Sequence, residues 1–161
     1  MAAPCCDKAL VSQVVDVARE WIGTPYVHQA SCKLVGTDCL GLVRGIWREV
    51  FGAECEEPGS YSPDWAEASA SEPLLDGLAR HLDRVTPEAA AAGDILVFRM
   101  LERGTAKHLA ILTSDNLDAE NATMIHAYSG LSVCETRLSH PWHRRIAAVF
   151  RMPVVPENWR P

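Results

Sequence analysis

No stretch of this 161-residue chain approaches the roughly 18 consecutive apolar residues of a membrane-spanning helix, so no such helix is expected. Basic charge is scarce. Fifteen Lys and Arg stand against 21 Asp and Glu, a net of −6, which argues against a nucleic-acid partner. The six cysteines include no Cys-x-x-Cys pair, and neither Cys5-Cys6 nor His140-Pro141-Trp142-His143 has ligand spacing suited to a tetrahedral site. Neither a metal nor any other cofactor is therefore expected. The N-terminus shows no basic stretch leading into an apolar core, so we expect no Sec signal peptide and synthesis in a reducing cytoplasm. Repeats, heptads and low-complexity tracts are also absent.

What is present has an ordinary globular balance, with 48% hydrophobic and 22% charged residues. The length suits one domain over residues 1–161, with a core from about 8 to 152 and an extended, proline-rich end over 153–161. Leu10, Val11, Val14, Val15, Val17, Ala18 and Trp21 predict a first helix that Gly23 and Pro25 end. A second helix is predicted from Cys39 to about Phe51-Gly52, and a weaker third over Leu74 to Val85. Ala53 to Pro73 reads as a surface excursion. The second half consists of short apolar runs at Asp94–Arg99, His108–Leu112, Thr123–Tyr128, Ser132–Thr136 and Ile146–Arg151, bounded by turn residues. Helices followed by clustered strands predict an α+β fold with an antiparallel sheet.

Cys39 is the first residue with chemical promise. It follows Gly36-Thr37-Asp38 and begins the apolar series Cys39, Leu42, Val43, Ile46 and Val50, one face of a helix. A thiol in a first helical turn lies among unpaired backbone N–H groups at the positive end of the dipole, which favours thiolate. The alternative is a small core residue on an apolar face. His108 and His126 fall on consecutive predicted strands, where they become cross-strand neighbours if those strands pair. Cys39, His108 and His126 then make a line of nucleophile, base and orienter, with His108 expected as an imidazolium beside the thiolate. Each histidine alone also reads as a half-exposed strand residue. His28 is placed to line the cleft, while His81, His140 and His143 look superficial.

Five blocks carry a family resemblance, in order: Trp21-Ile22-Gly23-Thr24-Pro25-Tyr26-Val27, Thr37-Asp38-Cys39-Leu40-Gly41-Leu42-Val43, Gly93-Asp94-Ile95-Leu96-Val97-Phe98, Lys107-His108-Leu109-Ala110-Ile111-Leu112 and Met124-Ile125-His126-Ala127. From about Leu10 to Arg151 the chain resembles the NlpC-type cell-wall cysteine peptidases. Leu40 and the continuation Arg44-Gly45-Ile46-Trp47-Arg48-Glu49 resemble the subgroup found in phage tails and gene-transfer agents. The resemblance implies a papain-like fold with the cysteine helix packed on an antiparallel sheet. It implies Cys39 as nucleophile, His108 as base and His126 as orienting residue. Tyr26 would support the nucleophile or oxyanion, and Asp38 would hold a substrate amine. Leu40 stands where most members carry serine and has no hydroxyl to share in binding that amine.

The implied function is a cysteine endopeptidase that cuts peptidoglycan stem peptides, at the γ-D-glutamyl–diamino acid bond. It would be carried in a phage-like tail or baseplate and act in the periplasm or cell wall. Two alternatives stand beside it: a structural tail component with a vestigial site, and another cysteine–histidine acyl-transfer enzyme such as an amidase or a transglutaminase-like protein. The basic cluster Arg137, His140, His143, Arg144, Arg145 and Arg151 is expected either to meet stem-peptide carboxylates or an acidic tail partner, or to be a solvated face.

Overall fold

The computed structural model describes residues 8–61 and 71–154. Helix α1 (Lys8–Glu20) buries Val14, Val15 and Ala18, as its periodicity predicts. A two-stranded ribbon of β1 (Ser31–Cys32) and β2 (Gly36–Thr37) follows, too short to announce itself by pattern. Helix α2 (Cys39–Phe51) starts on Asp38, which has extended backbone and accepts a hydrogen bond from the N–H of Gly41. It ends at Gly52, whose φ of 84° places it in the left-handed region that glycine adopts cheaply. Helix α3 (Pro73–Ala79) is shorter than expected: the chain turns after it, and strand β3 (Asp83–Val85) occupies the last residues of the predicted helix. The cause is tertiary, because β3 finds its hydrogen bonds on a distant strand. The proposed tail beyond Val154 lies outside the described residues.

After a short 3₁₀ turn at Pro87–Ala89 come β4 (Ile95–Arg99), β5 (Ala106–Leu112), β6 (Thr123–Ala127) and β7 (Val133–Arg137), then helix α4 (His140–His143) and β8 (Ile146–Arg151). They form one antiparallel sheet in the order β3-β8-β4-β5-β6-β7. The α+β class holds, with N-terminal helices and the Cys39 helix packed on the sheet.

Strand alternation divides the sheet into two faces. Ile95, Val97, Leu109, Ile111, Ile125, Val133 and Phe150 face the helices, joining Trp21, Leu42, Ile46, Leu74 and Leu78 in one core. Leu96, Phe98, Ala110, Leu112, Met124 and Val149 form a second core on the other face. Because both faces are covered, β4 and β5 read as continuous apolar runs. His108 and His126 have the parity of the second face and lie on the side opposite α2.

One pairing is incomplete. Strand β6 pairs with β5 only at Ile111↔Ile125 and Leu112↔Met124, so the first half of β5 carries no β6 partner.

The approach of α1's end to α2 depends on Gly45. A Cβ there would fall 2.2 Å from Trp21 Cζ2, and Trp21 is itself fully buried with its Nε1 donating to Glu49. Gly45→Ala is expected to lower stability by about 1–3 kcal/mol, the usual cost of overpacking. Gly59→Ala, where a Cβ meets nothing within 4 Å, should stay within about 0.5 kcal/mol of wild type. Urea denaturation of both variants checks the pair.

Candidate active site

Asp38 organises the start of α2. Its Oδ1 accepts from the N–H of Gly41 at 2.7 Å, and its Oδ2 accepts from the N–H of Gln29 at 2.7 Å and from the Tyr61 hydroxyl at 2.6 Å. His28 Nδ1 lies 3.6 Å from the same Oδ2. The residue is only 2% exposed, so all the partners of its carboxylate come from the chain itself. Gly41 is confined as well: a Cβ there would sit 1.9 Å from the carbonyl oxygen of Ala30.

With its helix start so held, Cys39 meets the half of β5 that β6 does not reach. Its Sγ donates to the carbonyl of Lys107 at 3.7 Å, and the N–H of Leu109 faces the sulfur. The thiol thus takes the backbone groups on either side of His108, at the place where β6 is missing. Burial pushes the Cys39 thiol up to about 12 and the Asp38 carboxylate adds to this, while the N–H groups of Leu109, Leu40 and Cys39 itself oppose it.

On the second face, His108 Nε2 and His126 Nδ1 lie 2.9 Å apart, and His126 Nε2 lies 3.1 Å from the hydroxyl of Thr136 on β7. Continuing the β5–β6 register sets His126 opposite Ala110, so the histidines meet diagonally rather than directly across the pair. Trp142 of α4 lies 5.4 Å from both ring centroids, tilted to His108 and edge-on to His126, with Phe98 and Tyr128 completing the enclosure. Burial, and then the neighbouring His126, lower His108 to about 3; burial lowers His126 to about 4.

These directions correct the expectation of a resting thiolate–imidazolium pair. A second imidazole brings no negative charge to stabilise a cation, and burial disfavours both charged forms. Burial thus favours the neutral thiol and the neutral imidazole over their charged forms. The helix N-terminus does act in the expected sense, but burial and Asp38 outweigh it.

Tyr26 bridges to Thr37 of β2 and packs in the core beside Cys39. Burial raises its phenol, and the Cys39 and Asp38 charges raise it further, so the ring stands close to both. The five residues singled out from sequence are therefore in one region: Tyr26, Asp38 and Cys39 around the start of α2, and His108 and His126 across β5.

The basic cluster does not survive as a unit. Arg151 forms two hydrogen bonds to Asp94, Arg137 donates to the carbonyl of Glu120, and His143 lies 3.3 Å from Asp118. His140, Arg144 and Arg145 alone share a groove with Arg99. Residues adjacent in sequence were separated by the turn of α4 and by strand alternation.

Three participants were missed by sequence reasoning. Tyr61 lies at the end of the described part of a Pro-, Ser- and Glu-rich excursion with no periodic signal. Its phenol is raised well above the ordinary range by burial and by its bond to Asp38. Thr136 shares parity with Cys134, the direct partner of His126, but that register is invisible in one dimension. Trp142 sits in a four-residue helix below the length that periodicity detects. A cavity of about 420 Å³ opens beside Leu40 and Tyr61, lined by Val43, Trp47, Leu74 and Leu78, without Cys39 or either histidine in its wall.

Comparison with known proteins adds an independent line. The family model described as the NlpC/P60 family matches residues 23–151. No curated protein sequence matches the chain. Among solved structures, it resembles a lipoprotein-like NLP/P60 protein of Staphylococcus aureus subsp. aureus Mu50, at 20% identity and a TM-score of 0.63. That match covers 94% of this chain but only 45% of the staphylococcal one. The NlpC/p60 domain of the peptidoglycan hydrolase SagA is 23% identical with a TM-score of 0.57, over 88% of this chain and 98% of that one. The endolysin LysIME-EF1 is 14% identical with a TM-score of 0.51, over 89% and 64%. At these identities the likeness is one of fold.

The lowered histidines make stability depend on pH. Native His108 and His126 stay neutral down to about 3 and 4, whereas unfolded rings protonate near 6.5, so the unfolded chain binds more protons in between. Their contribution is complete above pH 6.5 and is lost as the pH falls toward 4. Between pH 6.5 and 5, before most carboxylates titrate, the loss should approach about 1.4 kcal/mol per pH unit for each ring. Urea titrations across that window should show the slope in wild type and a flatter profile in the His108→Gln/His126→Gln double variant. Equal slopes would refute the assignment.

Proposed function

Because this chain belongs to the NlpC/P60 family, we propose that it is a thiol endopeptidase acting on peptidoglycan stem peptides. The observation that carries the reading is the approach of the Cys39 thiol to the β5 backbone on both sides of His108, with His108 in turn hydrogen-bonded to His126. A core cysteine needs no histidine pair behind it, and a buried histidine pair needs no thiol before it.

The chemistry proceeds from the neutral pair. As Cys39 Sγ attacks the scissile carbonyl carbon, its proton passes to His108 and a C–S bond forms. Collapse of the tetrahedral species breaks the C–N bond, and His108 returns the proton to the departing amine. Water then attacks the thioester, giving up a proton to His108, and the thiol is restored as the acyl group leaves with a carboxyl end. Forming an imidazolium in this buried place is costly at rest, so its formation is coupled to the developing negative charge on the substrate oxygen. Tyr26 is the group assigned to steady that oxyanion or the sulfur.

Asp38 is the proposed contact for a substrate amine, and its geometry sets a condition. On Oδ2 an incoming amine competes with the Tyr61 hydroxyl, since the N–H groups of Gly41 and Gln29 belong to the helix start and to the adjoining loop. Leu40 offers no compensating hydroxyl. Hydrolysis at the γ-D-glutamyl–diamino acid bond and service in a phage-like tail are the finer parts of the proposal. The tail role rests on the sequence after Leu40, while Arg44 and Arg48 already pair with Glu54 inside the fold.

Mass spectrometry of purified sacculi after digestion tests the reading. Wild type should release fragments cut within the stem peptide, and the fragment masses identify the bond. Cys39→Ala and His108→Ala should each reduce release by at least about a thousandfold. Iodoacetamide should abolish it, and a chelator should leave it unchanged. Undiminished release by Cys39→Ala would end the proposal.

A further inference from the structure

Two histidines in contact pose a proton-counting problem that they cannot solve between themselves. Each neutral imidazole carries one N–H, so the hydrogen bond between His108 Nε2 and His126 Nδ1 can run in either direction. If His108 donates, its Nδ1 is bare and able to take a proton. If His126 donates, His108 carries its proton on Nδ1 and is useless as a base. The deciding group must bind the far nitrogen of His126, and that nitrogen lies 3.1 Å from Thr136 Oγ1.

The register on β7 explains the meeting. Met124 faces Thr136 and His126 faces Cys134, so Thr136 sits diagonally from His126 on the same face of the sheet. His108 and His126 are 7% and 3% exposed, whereas Thr136 is half-buried. A half-buried hydroxyl can direct its own hydrogen to solvent while offering a lone pair inward. The enclosed rings have no such freedom.

We infer that Thr136 is a positioning residue that sets the tautomer of the histidine pair, accepting the His126 Nε2 proton so that His108 Nδ1 is left bare. Nδ1 is the ring nitrogen nearer the backbone, and the Cys39 sulfur lies against that backbone at Lys107 and Leu109. The line Thr136–His126–His108 therefore has one polarity, with its basic end toward the thiol. Trp142 lies against both rings, tilted to His108 and edge-on to His126. The inference rests on the proposed thiol chemistry for its purpose, and its main readout is independent of any substrate.

Two-bond ¹⁵N–¹H correlation spectra of the wild-type protein at pH 7 should show His108 and His126 both protonated on Nε2. Thr136→Val keeps the shape and removes the acceptor. It should give mixed tautomers at both rings and slow iodoacetamide alkylation of Cys39, followed by peptide mass spectrometry, by about tenfold or more. Thr136→Ser should restore both signals. A wild-type His126 protonated on Nδ1 would overturn the inference, and that spectrum is available even if the valine variant folds poorly. Wild-type tautomers and alkylation rate retained in Thr136→Val would overturn it equally. Correct tautomers in a protein that leaves sacculi intact would uphold it and reject the peptidoglycan reading instead.

Discussion

The incomplete pairing of β5 with β6 is the constraint on which the site depends. Full pairing would satisfy the Lys107 carbonyl and the Leu109 N–H within the sheet and leave no approach for a helix end. Because β6 joins β5 only near Ile111 and Leu112, the sulfur of Cys39 reaches these groups. The register of the two strands sets His126 diagonal to His108, and their ring nitrogens lie 2.9 Å apart. Sheet edges are usually shielded by charge or by covering elements; here an interior opening is filled by the side chain of Cys39.

Electrostatics then shape what such an arrangement does. No carboxylate is hydrogen-bonded to either histidine among the described residues, so nothing holds a standing positive charge in the enclosure of Phe98, Tyr128 and Trp142. In the proposed mechanism, charge separation belongs to the moment of attack. A neutral relay has a different requirement from a charged one: its hydrogen-bond direction matters more than its net field, which is why a threonine hydroxyl at its far end acquires significance.

Asp38 joins the start of α2 to the segments around it. As N-cap it fixes the first turn of α2 and with it the position of Cys39. Through Gln29, His28 and Tyr61 it also ties the preceding loop and the acidic excursion to that turn. Any ligand donor that reaches this carboxylate does so against existing partners, so binding there is coupled to the position of Tyr61.

Much of this was written in the chain. The 3.6-residue spacing from Cys39 to Val50, the cap Asp38 and the stop at Gly52 specify α2 by local rules, and alternation and turn residues specify β4 to β8 nearly to the residue. Cys39, His108 and His126 could be singled out because their types are few and their elements were recognisable. What one dimension does not contain is register and burial. Whether β6 pairs along all or half of β5, whether Thr136 or Glu135 faces His126, whether Tyr61 returns to Asp38, and whether the site rests charged or neutral follow from contacts between residues far apart in sequence. Sequence alone determined most of the elements and which side chains stand at their ends and on their faces, because propensity, capping and periodicity act over a few residues. Tertiary structure decided which of those groups share a proton, because desolvation and hydrogen-bond direction exist only once distant segments have closed around them.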